Sequence, residues 1–115
     1  MEQEMAETPI EISCHELKEL MDGQEPILLI DCREPEEHAI VSLPGARLVP
    51  MQEIPTKAAE IIAEGSPRLV VYCHHGMRSA QTAGWLRENG APHAQSLAGG
   101  VDAWAVQIDP NLPRY

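Results

Sequence analysis

The sequence predicts an α/β domain with a mainly parallel sheet. Three observations carry this. Short apolar runs alternate with helix-patterned stretches along the whole chain. Two of the runs, Ile27 to Ile30 and Leu69 to Tyr72, are continuously apolar, as strands covered on both faces are. The segments between successive runs are long enough for crossover connections.

In chain order, Ile10 and Ile12 flank Glu11 and predict a short first strand. Ser13 then caps a helix: Glu16 completes a capping box, Ile12 and Leu17 form a hydrophobic staple, and Leu17, Leu20 and Met21 follow at helical spacing. Gly23 is expected to end it as a C′ residue. Ile27 to Ile30 is the second strand and delivers Asp31. Pro35 to Ala39 reads as a short helix, Pro44-Gly45 as a turn, and Ala46 to Val49 as a third strand. Ile54, Ala58, Ile61 and Ile62 share one helical face, with Pro55 near its start.

Gly65-Ser66-Pro67 breaks the pattern before Leu69 to Tyr72, the strand that delivers Cys73. Ser79 to Asn89 is helical in composition, with Ala80, Ala83 and Gly84 giving a small-residue side, and Gly90 ends it. Ala94 to Leu97 is a last strand, and Gly99-Gly100 turns the chain into a helix over Val101 to Val106. Residues 1–8 are expected to be a flexible N-terminus, 9–108 the domain, and 109–115, with Pro110 and Pro113, an extended tail.

A chain of 115 residues suffices for one domain and its core. Aromatic residues make up 3% and Phe is absent, so the core must come from Ile, Leu, Val, Ala and Met. The net charge of −10 argues against a nucleic-acid partner, because phosphate binding needs clustered Lys and Arg. No apolar run is long enough to suggest a membrane span, and the acidic start (Glu2, Glu4, Glu7) is unlike a signal peptide. A cytoplasmic protein is expected. The odd number of cysteines, Cys14, Cys32 and Cys73, does not make a disulfide framework and fits a reducing compartment or a working thiol.

The chemistry concentrates in Cys73-His74-His75-Gly76-Met77-Arg78-Ser79. In open α/β folds ligands collect at the carboxyl ends of strands, where Cys73 and Asp31 both fall. A strand-to-helix loop points N–H groups inward, the helix start adds partial positive charge, and Arg78 adds a planar cationic fork. All three favour thiolate over thiol at Cys73 and an anion bound beside it, so Cys73 is expected to be an exposed nucleophile, the other reading being a buried structural cysteine.

The same loop resembles the active-site loop of the rhodanese-like sulfurtransferases. Ile30-Asp31-Cys32-Arg33-Glu34, Leu43-Pro44-Gly45-Ala46 and Leu97-Ala98-Gly99-Gly100-Val101-Asp102-Ala103-Trp104 are similar to that family's Asp-x-Arg-Glu, Pro-Gly-Ala and Gly-Gly-x-x-x-Trp elements, in order and over about residues 9–106. The resemblance implies a three-layer fold of about five strands with helices on both faces. It implies a persulfide mechanism without cofactor: Cys73 takes the outer sulfur of thiosulfate or another persulfide donor and passes it to a thiol, cyanide or a sulfur-carrier protein. His74, His75, Gly76, Met77, Arg78 and Ser79 would bind substrate, with Arg78 on the sulfonate.

Related dual-specificity phosphatases hold their Cys and Arg one residue further apart, a wider cradle for phosphate. Where many relatives carry Gly-His before the Pro-Gly-Ala turn, this chain has Val41-Ser42. Ile108 to Tyr115 resembles the end of rhodanese domains fused to adenylyltransferases that feed sulfur to ubiquitin-like carriers.

Asp31 and Arg33 read either as substrate-binding residues or, in preference, as an ion pair or hydrogen bond bracing the Cys73 loop. Cys32 reads as inert packing or as a resolving thiol, and Cys14 as structural. Glu34, Glu36 and Glu37 read as a solvated helix face, and His15, His38 and His93 as surface or packing residues. Consecutive Cys73, His74 and His75 do not suit a metal, because loop neighbours rarely converge on one ion. Beside the transferase reading stand a non-catalytic interaction module and a redox sensor using Cys73 and Cys32.

Overall fold

The two continuously apolar runs form the centre of the sheet. In the computed structural model, which describes residues 8–115, β2 (Leu28–Asp31) lies beside β4 (Leu69–Tyr72), and all eight residues are buried. Around this pair five parallel strands line up in the order β1-β5-β4-β2-β3, with β1 at Glu11–Ile12, β3 at Arg47–Leu48 and β5 at Gln95–Leu97. The expected flexible N-terminus falls, apart from Thr8, outside the described residues.

Alternate residues of the central strands feed two cores, because side chains on a strand point to opposite faces. On one face Leu28, Ile30, Leu69 and Val71 pack with α3 (Ile54–Ala63) and α4 (Met77–Glu88), through Ile54, Ala58, Ile61, Ala83 and Leu86. On the other, Leu29, Val70 and Tyr72 meet α1 (Cys14–Asp22) and α5 (Gly100–Gln107), through Leu17, Val101 and Trp104. This is the α/β architecture expected, with helices on both faces of the sheet.

The capping box of α1 is present: Glu16 N donates to Ser13 Oγ at 3.0 Å, and Ser13 N donates to Glu16 Oε1 at 3.1 Å. The end of α1 differs from expectation. Gly23 has φ −80°, and the left-handed conformation passes to Gln24 at φ 58°. Helix α4 begins at Met77, two residues before the expected start, because Gly76 at φ 105° turns the chain directly out of the loop. Beyond α5 the tail is not extended from its first residue: Leu112 N donates to Asp109 O at 3.1 Å, closing a turn before Pro113. Glu37 and His38 belong to α2 (Pro35–Ile40), which opens the connection from β2 to β3.

Candidate active site

All strands run the same way, so Asp31, Cys73 and Ala98 emerge at one edge of the sheet. There the loop after β4 folds around the Cys73 sulfur. Gly76 N donates to Sγ at 3.1 Å and Ser79 N at 3.3 Å, while the Ser79 hydroxyl lies 3.4 Å away. Ser79 is itself buried and paired with Ser96 Oγ at 2.7 Å. The Cys73 thiol donates to Ser79 Oγ, whose own proton goes to Gly76 O at 3.3 Å, so the two amides are the donors on the sulfur and favour negative charge there.

The loop is braced from α5. Val101 N donates to Cys73 O at 2.9 Å and Asp102 N to His74 O at 3.1 Å. This approach needs glycine at position 100, where φ is 65° and a Cβ would stand 2.5 Å from Cys73 O. The Gly-Gly pair is thus a packing device for the sulfur loop as well as a turn.

Access differs from expectation. Cys73 is only 1% exposed, lying beneath its own loop rather than open to solvent. Arg78 differs as well. Its guanidinium turns to α2 and pairs with Glu37, Nη1 to Oε1 at 2.9 Å and Nη2 to Oε2 at 3.0 Å. The hydrogen bonds from Arg78 pull the Glu37 carboxyl down to about 2, and the same pair holds Arg78 above its ordinary range. Glu37 is therefore not part of a solvated face. Its Oε1 also accepts from Glu34 N at 3.0 Å, and its Oε2 from the Tyr115 hydroxyl at 2.8 Å.

Asp31 and Arg33 form the expected ion pair, fully buried, with Arg33 Nε donating to Oδ1 at 2.8 Å and Nη2 to Oδ2 at 2.6 Å. Burial pulls the Asp31 carboxyl upward, but hydrogen bonds from Arg33 and His38 outweigh it and hold it below the usual carboxylate range. The remaining Arg33 donors reach Val41 O at 2.5 Å and the Tyr115 hydroxyl at 2.6 Å. The pair thus ties α2 and the C-terminus to the sheet edge. The direct brace on the Cys73 loop comes from α5 instead.

His38, read from sequence as a surface or packing residue, lies 2.7 Å from Asp31 Oδ2 through its Nδ1. His74 stacks between His75 and Tyr115, with ring centroids 3.9 Å from each. Burial and the neighbouring His75 push the His74 pKa down. His75 and Met77 stand on the exposed side of the loop.

Ligand atoms of His74, His75 and Asp102 lie within 4.8 Å of one another. They do not suit one metal ion. The two rings are stacked 26° from parallel, so their in-plane lone pairs do not converge, and Arg114 takes both Asp102 oxygens at 2.8 and 3.1 Å.

The sequence reading missed Glu37, His38, Ser96 and Tyr115. Only Glu37 left a local signal, its spacing to Glu34 at the start of α2. Cys32 is buried, and burial together with the neighbouring Cys73 pushes its thiol up to about 12.

The sequence matches the family described as Rhodanese-like domain over residues 13–107. The chain belongs to that family.

Among relatives of this rhodanese-like domain, a sulfurtransferase from Allochromatium vinosum is 36% identical, covering 83% of this chain and 87% of the relative. The Rhodanese-like/PpiC domain-containing protein 12, chloroplastic, of Arabidopsis thaliana is 38% identical over 76% of this chain but only 30% of its own length. The adenylyltransferase and sulfurtransferase MOCS3-2 of Zea mays is 36% identical over 90% of this chain and 23% of its own length. The chain therefore spans less than a third of these two larger relatives.

Among solved structures, SSP1007 from Staphylococcus saprophyticus superposes with a TM-score of 0.77 at 30% identity, covering 92% of this chain and all of its own. The human single-domain sulfurtransferase TSTD1 gives 0.73 at 25% identity, covering 86% and 97%. Among the described residues no helix is long and apolar enough to cross a membrane.

Proposed function

We propose that this rhodanese-like domain is a sulfurtransferase that carries sulfane sulfur as a persulfide on Cys73. The observation that carries the reading is the pair of donors on one sulfur: Gly76 N and Ser79 N both donate to Sγ. Such donors stabilise a thiolate before transfer and an anionic persulfide after it.

With thiosulfate, the Cys73 thiolate attacks the outer sulfur. The S–S bond of the donor breaks, its electron pair leaves with sulfite, and Cys73–S–S⁻ remains. A thiolate or cyanide then attacks the terminal sulfur and returns the Cys73 thiolate. That terminal sulfur extends about 2 Å beyond Sγ, the length of an S–S bond, which brings it closer to an acceptor than the covered thiol. Because Cys73 is 1% exposed, the reading requires the loop to yield around Sγ during transfer, at its exposed residues His75 and Met77.

The likeness to rhodanese-bearing adenylyltransferase/sulfurtransferases supports a sulfur-carrier protein as one acceptor class. A redox-sensing role is less well supported, because burial keeps the Cys32 thiol protonated and unsuited to resolving an oxidised Cys73.

The test is intact mass after incubation with thiosulfate. The wild-type chain gains one sulfur atom, which cyanide removes, and Cys73→Ser gains none. Sulfur uptake by the Ser variant overturns the mechanism.

A further inference from the structure

We propose that Glu37 sets the donor class of this site. By holding Arg78 in a two-pronged ion pair, it biases sulfur loading away from the thiosulfate dianion and toward persulfides of low net charge. The inference rests on the reading of Cys73 as the sulfur-accepting residue.

The charges around the loop motivate it. Arg78 is the only Lys or Arg within Cys73–Ser79, and both of its Nη atoms are committed to Glu37. Arg33 is paired with Asp31, and Arg114 and His75 both face Asp102. His74 is held toward its neutral form. Each full positive charge named around the loop therefore has a carboxylate beside it. A dianion approaching from solvent meets compensated pairs, and only the short-range amides of Gly76 and Ser79 favour it.

Glu37 is built in rather than incidental. Besides the two Arg78 nitrogens it accepts from Glu34 N and from the Tyr115 hydroxyl, and its side chain is 19% exposed. A carboxylate held by four donors does not swing aside when an anion arrives. Attraction scales with the charge of the donor, so this compensation penalises thiosulfate most.

A persulfide donor needs no second anion subsite. The Cys73 thiolate attacks the terminal sulfur of R–S–SH, that S–S bond breaks, and its electron pair leaves on R–S⁻. The leaving thiolate takes the proton that the persulfide carried, giving R–SH and Cys73–S–S⁻.

The experiment compares thiosulfate with cysteamine persulfide, which carries no net negative charge, as donors to the wild type, Glu37→Gln and Glu37→Asp. Loading is followed by intact mass. Glu37→Gln keeps a hydrogen-bond acceptor but removes the charge. It is expected to lower the KM for thiosulfate about tenfold while changing the KM for cysteamine persulfide less than about twofold. It should also make thiosulfate loading steeply salt-dependent, since Arg78 is then uncompensated. Glu37→Asp keeps the charge and should keep the wild-type preference.

An unchanged thiosulfate KM in Glu37→Gln, or equal changes for both donors, overturns the inference while leaving Cys73 as the sulfur carrier. Failure of the wild type to gain sulfur from either donor overturns the carrier reading itself, and the inference with it.

Discussion

The amide of Val101 donates to the carbonyl of Cys73 at 2.9 Å, so helix α5 begins on the residue that carries the sulfur of the site. The contact is possible because Gly100, at φ 65°, brings its backbone against Cys73 and His74 with no side chain between. Gly100→Ala puts a Cβ into that contact and a non-glycine residue into a left-handed conformation. It is expected to destabilise the fold by at least about 2 kcal/mol, read as a lowered urea midpoint. Gly84→Ala is the control: it lies within α4 and its Cβ would meet nothing within 4 Å. It should stabilise by about 0.5–1 kcal/mol, the helix-propensity difference.

Arg33→Met tests the buried pair. Asp31 and Arg33 are both fully buried, and removing the guanidinium leaves Asp31 with His38 as its remaining side-chain partner. Breaking a buried pair from one side costs about 3–5 kcal/mol, because a charge is left without its counter-charge in a low-dielectric interior. Urea unfolding measures it. A loss of less than about 1 kcal/mol would mean that water or His38 compensates.

Tyr115→Phe separates the phenol from the ring. The hydroxyl accepts from Arg33 Nη1 at 2.6 Å and donates to Glu37 Oε2 at 2.8 Å, while the ring stacks on His74 at 3.9 Å with planes 7° apart. Phe keeps the stack and loses both hydrogen bonds. A loss of about 1–2 kcal/mol is expected, toward the low end because Tyr115 is 40% exposed. Tyr115→Ala should lose more, and amide exchange near His74 should rise only in the Ala variant.

Glu37 predicts an acid limb in stability. Its carboxyl is lowered from 4.5 to about 2, chiefly by hydrogen bonds from Arg78. A depressed folded-state pKa stabilises the fold fully above the unfolded value. That contribution is lost as pH falls from about 4.5 through about 2. Stability measured from pH 6 down to pH 2 should therefore fall less steeply in Glu37→Gln than in the wild type. Parallel curves would show that the Arg78 pair contributes nothing measurable to folding.

The sequence alone determined the α/β class, the buried central strands, the Ser13 capping box and the delivery of Cys73 at a strand end. These are local properties: apolar periodicity, cap chemistry and the turn at Gly99-Gly100 are written in neighbouring residues, whereas the turn at Gly76 that starts α4 at Met77 emerged only in the structure. Edge strands were less sharply marked, because β1 and β3 contain two residues each. Only the tertiary structure decided that Arg78 meets Glu37, 41 positions earlier, that Tyr115 reaches Arg33 across 82, and that Cys73 lies covered. A long cationic side chain has many rotamers, and the carboxylate it finds depends on how distant elements close around it. No local pattern along the chain records that.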